Sequence, residues 1–89
     1  MTTRRYTVSG EVQGVGFRWS AQREGARLGL VGSVRNLPDG RVEAVAQGDD
    51  AALQRFEAWL HRGPRWATVR GVHAEDVERI EGSGFTIGR

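Results

Sequence analysis

A strand pattern runs directly into a helix pattern across Gly10-Glu11-Val12-Gln13-Gly14-Val15-Gly16-Phe17-Arg18, and this junction restricts the chain to folds that lay a helix back onto its own sheet. Before it, Tyr6, Val8, Gly10 and Val12 alternate with Thr7, Ser9 and Glu11, the period of a strand with one buried face. After it, Phe17, Ala21 and Leu28 share one face of a helix expected from Phe17 to about Gly29, with Gln22, Arg23 and Arg27 turned away. Gly25 weakens that helix by about 1 kcal/mol relative to alanine, so its presence predicts a close backbone approach there. Gly29 supplies the stop.

The junction also has chemical potential. Closely spaced glycines admit the crowded or left-handed backbone that turns successive N–H groups toward one point. A helix start adds unpaired donors and the positive end of the helix dipole. Arg18 can close such a cradle, because a guanidinium offers two parallel donors to a phosphoryl group. The same residues also suit a plain strand-to-helix turn followed by a solvated arginine, and the junction alone leaves both readings open.

The rest of the chain extends the pattern. Val31 to Asn36 and Val42 to Gln47 read as strands, the second with Val42, Ala44 and Ala46 on one side. Leu37-Pro38-Asp39-Gly40 between them suits a type I turn, so the pair is expected to form an antiparallel hairpin. Gly48-Asp49-Asp50 is expected to cap a second helix carrying Leu53, Phe56 and Leu60, with Trp59 flanking and Gly63-Pro64 as the stop. Ala67 to Arg79 reads as a longer strand with a bulge or bend, since Val69, Val72 and Val77 do not share one parity. Phe85 to Ile87, after Gly82-Ser83-Gly84, reads as a short edge strand. The order β-α-β-β-α-β plus a short C-terminal strand predicts an α+β, ferredoxin-like two-layer sandwich, antiparallel-dominated with both helices on one face, in a single domain over residues 1–89.

Composition narrows the function classes. With no cysteine among 89 residues, disulfides, thiolate nucleophiles and cysteine-held metals are excluded, and a cytoplasmic protein is the expectation. No apolar run reaches the length of a membrane span. The pI of about 10.4 suggests a polyanion binder, but all 13 basic residues are arginine and the formal charge is only +2. Without lysine few groups titrate between neutrality and about pH 10, so a small arginine excess lifts the pI without creating a strong field. No nucleic-acid and no membrane partner is expected.

Asn36 ends its strand near the glycine-rich loop. Its amide can accept one hydrogen bond from a water and donate another, although an asparagine before Pro-Asp-Gly also serves simply as a turn residue. The Gly10–Arg18 run, Leu28-Gly29-Leu30-Val31-Gly32-Ser33-Val34-Arg35-Asn36 and Asp39-Gly40-Arg41-Val42-Glu43-Ala44, together with Phe56, Trp59-Leu60, Gly63-Pro64 and Gly84-Phe85-Thr86-Ile87, resemble the acylphosphatase family over nearly the whole chain. The resemblance implies a monomeric hydrolase, free of metal and cofactor, that cleaves small acyl phosphates to a carboxylate and inorganic phosphate, the latter also an inhibitor. It further implies that Arg18 binds the phosphoryl group, that Asn36 orients the attacking water, and that the loop Gln13, Gly14, Val15, Gly16, Phe17 and Arg18 forms the phosphate site. Two departures stand out: Ser33, where many members carry a bulky aromatic, which bears on stability or the pocket rim, and Arg65-Trp66 after Gly63-Pro64. The short last strand permits the Arg89 carboxylate to fold back toward Arg18.

Other residues attract plainer readings. His61 and His73 fall on different elements, a helix end and a strand, rather than forming a metal pair. Asp49 and Asp50 read as caps, and Glu75, Asp76, Glu78 and Glu81 as a solvated acidic strand end. Ser9, Ser20 and Ser33 have no neighbouring histidine to activate them. The competing reading is a non-catalytic ferredoxin-like module for RNA or a carbamoyl-phosphate-type ligand. Its RNA form needs paired aromatics on adjacent strands, and only Tyr6 and Phe85 are available.

Overall fold

The computed structural model describes residues 1–88. Its elements follow the expected order: β1 (Thr2–Glu11), α1 (Phe17–Arg27), β2 (Val31–Asn36), β3 (Val42–Gly48), α2 (Asp50–Arg62), β4 (Thr68–Asp76) and β5 (Phe85–Ile87). The strands form one sheet in the order β4-β1-β3-β2-β5. Because β3 pairs antiparallel with both β1 and β2, those two strands run in the same direction with β3 between them. The loop that leaves β1 and the Asn36 that closes β2 therefore emerge at the same end of the sheet. The unit β1-α1-β2 encloses β3, and β3-α2-β4 encloses β1, which is the interlocked ferredoxin-like arrangement.

Side-chain alternation creates the core. Tyr6 and Val8 of β1, Val34 of β2, and Val42, Ala44 and Ala46 of β3 lie buried against Phe17 and Ala21 of α1 and Leu53, Phe56 and Leu60 of α2. Phe56 is central, its ring centroid 5.8 Å from Tyr6 and 5.5 Å from Phe85. Such tilted and edge-on contacts each add about 0.5–1.5 kcal/mol beyond burial.

Several details depart from expectation. Helix α1 stops at Arg27, where Leu30 N–H donates to the Gly25 carbonyl at 2.9 Å and Gly29 N–H to that of Ala26 at 3.0 Å, a Schellman closure around Gly29 at φ 73°. The close approach at Gly25 is real but comes from a side chain: an added Cβ would strike the Phe85 ring. Gln22, expected on the outer face, is half-buried and donates to the Phe85 carbonyl at 3.0 Å. Asp49 occupies the N-cap position of α2, yet its side chain makes no capping bond, and Asp50 accepts a hydrogen bond from the Thr2 hydroxyl at 2.7 Å.

The predicted irregularity in the fourth strand is present. Ser9 faces Gly71 while Gly10 faces Val69, so Arg70 bulges out of register. Gly10 sits at φ 126°, and a Cβ there would strike the Thr68 carbonyl oxygen. The strand is shorter than expected, ending at Asp76 rather than Arg79. Since β4 and β5 occupy opposite edges, the chain must cross four strand spacings, roughly 19 Å. Residues 77–84 make that crossing instead of pairing, strapped down where Ile80 N–H and the Thr3 hydroxyl both donate to Gln47 Oε1, at 2.9 and 2.6 Å. Among the described residues no helix is long and apolar enough to cross a membrane.

Candidate functional site

The loop from β1 to α1 has the backbone of an anion cradle. Gly14 and Gly16 lie at φ 74° and 77°, and Val15 between them has negative φ. Nothing lies within 4 Å of a Cβ built on either glycine, so conformation rather than crowding calls for glycine there. Gly16 is also the N-cap of α1, and no side chain caps that end. The first bond of the helix end runs from Ser20 N–H to the Gly16 carbonyl at 3.1 Å. The N–H groups of Gly14, Val15, Gly16, Phe17 and Arg18 donate to no acceptor among the described residues. Alternating backbone hand turns such N–H groups inward, and the helix start adds positive potential at the same place.

Arg18, half-buried in the first turn of α1, has no carboxylate among the described residues within ion-pair distance. Across from it, the Asn36 Oδ1 is buried and meets no donor among the described residues. A cavity of about 190 Å³ joins the two, lined by Val12, Gly14, Gly16, Phe17, Arg18, Trp19, Asn36 and Ile87. A buried amide oxygen without a partner carries a desolvation cost of about 1–3 kcal/mol, and in native structures such an atom faces a ligand or a water.

The turn beyond Asn36 holds it in place. Gly40 N–H donates to the Leu37 carbonyl at 3.2 Å, closing the Pro38-Asp39 turn as the sequence indicates. The Asp39 carboxyl is held below the usual carboxylate range, first by the Arg41 main-chain N–H at 3.1 Å and then by the Arg41 guanidinium at 2.7 Å. Gln13 links this turn to the cradle: its Nε2 donates to the carbonyls of Leu37 and Arg41, at 2.8 and 3.0 Å. Both hydrogens of its amide nitrogen are thus used, fixing the loop after β1 to the end of β2.

Of the sequence-derived candidates, Gly14, Gly16, Phe17, Arg18 and Asn36 share the cavity. The Gln13 side chain faces the hairpin turn instead, and Val15 packs against the core. Arg89 lies outside the described residues. Trp19 and Ile87 line the cavity without having been anticipated. Trp19 carried a signal in its position next to Arg18. Ile87 carried none, because only the parallel pairing of β5 with β2, Val34 opposite Ile87, brings it there.

The remaining residues stay apart from this cavity. His61 lies in the last turn of α2 and His73 in β4, 3.6 Å from Glu75. Ser33 borders a separate hollow with Thr86, and Trp66 is exposed under the Arg65 guanidinium at 5.2 Å. Tyr6 and Phe85 are both buried in the core, so neither offers a face for stacking bases.

Comparison with known proteins agrees with this geometry. The acylphosphatase family model matches residues 4–87. An acylphosphatase of Anaeromyxobacter dehalogenans is 57% identical over 74 residues, 83% of this chain and 80% of that relative, and one of Solibacter usitatus is 46% identical over 84 residues, 94% and 88% respectively. The crystal structure of acylphosphatase from Bacillus subtilis superposes with a TM-score of 0.94 at 38% identity, covering 100% of both chains.

Proposed function

The chain belongs to the acylphosphatase family, and from that membership we propose that Arg18, the 14–18 amides and Asn36 carry its chemistry by direct attack of water at phosphorus. It is an enzyme that hydrolyses acyl phosphates to a carboxylate and inorganic phosphate. The observation that carries the residue assignment is the meeting around one cavity of N–H groups, a guanidinium and a buried amide oxygen that have no partner among the described residues.

In this reading the amides and Arg18 hold the phosphoryl oxygens, and the Asn36 Oδ1 accepts a hydrogen bond from the attacking water. Its oxygen forms the new bond to phosphorus while the bond to the acyl oxygen breaks. The carboxylate leaves with the electron pair and needs no proton, so no general acid is required. The water's proton passes to a phosphoryl oxygen. Positioning and electrostatic stabilisation supply most of the catalysis in phosphoryl transfer, and these groups provide both. The proposal includes a monomer acting in the cytoplasm without metal, nucleic acid or membrane.

Benzoyl phosphate hydrolysed in water enriched in oxygen-18, with a chelator present, should yield labelled inorganic phosphate and unlabelled benzoate. Quenched pre-steady-state samples should contain the two products in equal amounts. Label in benzoate would move the attack to the carbonyl carbon, a burst of benzoate ahead of phosphate would reveal a phosphoenzyme, and loss of rate with the chelator would demand a metal.

A further inference from the structure

We propose that Trp19 and Ile87 form an acyl-recognition rim, and that this enzyme favours acyl phosphates with an aromatic acyl group over those with a short aliphatic one. The inference rests on the reading of the 14–18 cradle as the phosphoryl grip. With phosphorus held there, the acyl substituent must leave past the rest of the cavity, where Val12, Phe17, Trp19 and Ile87 supply apolar surface.

Val12 and Phe17, each 1% exposed, make its inner wall. Trp19 and Ile87, 58% and 45% exposed, make its mouth. Large apolar side chains left in water beside a cavity are what a ligand's apolar portion covers. The two come from separate elements, the first turn of α1 and the edge strand β5.

The indole is also held. One helical turn on, the Arg23 guanidinium lies 4.7 Å from the Trp19 ring centroid, and no carboxylate among the described residues pairs with Arg23. Restricting the ring before substrate arrives removes part of the ordering cost of binding. A fixed, flat ring favours a flat partner in offset or edge-on contact. Among the described residues that line the cavity there is no carboxylate, and Arg18, the one cation among them, is already assigned to phosphate, so these residues offer an uncharged acyl group apolar contact and a charged one no partner.

The test compares kcat/KM for benzoyl phosphate and acetyl phosphate in each variant, so that intrinsic reactivity cancels in the ratio. Trp19→Ala should lower the benzoyl-to-acetyl ratio by about two- to twelvefold, chiefly through KM, the range for loss of one aromatic pair. Trp19→Phe should largely restore the ratio. Arg23→Ala, which leaves the cavity lining intact, should shift it in the same direction by a smaller factor. A ratio unchanged in Trp19→Ala, or a fall that Trp19→Phe does not reverse, overturns the rim. Inhibition by inorganic phosphate separates the two claims: if Arg18→Lys leaves it unaltered, the grip fails, whereas a normal phosphate response with an unchanged ratio rejects the rim alone.

Discussion

Arg18→Lys should weaken inhibition by inorganic phosphate by roughly 10- to 150-fold, the equivalent of one lost hydrogen bond to a charged group. The ammonium keeps the charge but replaces a planar two-donor fork with a single point, so one of two parallel contacts is lost. Arg18→Gln removes the charge as well and should lower kcat/KM by roughly 10³-fold, in the range seen when a charge-stabilising donor is deleted. Neither change should much affect stability, because Arg18 makes no hydrogen bond or ion pair to another described residue. Equal inhibition of wild type and Arg18→Lys by phosphate would reject the assignment.

Asn36→Ala should reduce kcat by about 10²-fold with KM altered less than about threefold, since a mispositioned nucleophile costs rate rather than substrate binding. Thermal stability should change little. The Asn36 Oδ1 accepts no hydrogen bond from another described residue, so the substitution breaks no intramolecular bond of that oxygen. A large rise in KM with kcat preserved, or a marked fall in Tm, would assign Asn36 a binding or structural role.

Much of this site can be read locally. Gly14 and Gly16 advertise positive φ, the Pro38-Asp39-Gly40 turn announces the hairpin, and the change from strand to helix period places Arg18 in a first helical turn. That Arg18 and Asn36 meet follows once β1 and β2 are known to run parallel around β3. What escaped the sequence is what depends on distant partners. Gly25 registers as a close contact, but its identity as the Phe85 ring requires β5 to be docked beneath α1. The end of β4 at Asp76 follows from the need to reach the opposite sheet edge, which no local pattern encodes. Gln13 sits in a glycine-rich run that suggests ligand contact, yet two carbonyls of the next hairpin claim its side chain. Asp49 has the composition of a cap and makes no capping bond, a reminder that propensity yields to the surroundings of a helix end.

The central claim is that main-chain amides at the start of α1 bind the anion together with one guanidinium. Amide NMR during titration with inorganic phosphate tests it most directly. Saturable shifts of the Gly14, Val15, Gly16, Phe17 and Arg18 N–H resonances, with the same midpoint as enzyme inhibition and displaced to higher phosphate in Arg18→Lys, are the predicted result. Full inhibition with those five resonances unmoved would contradict it.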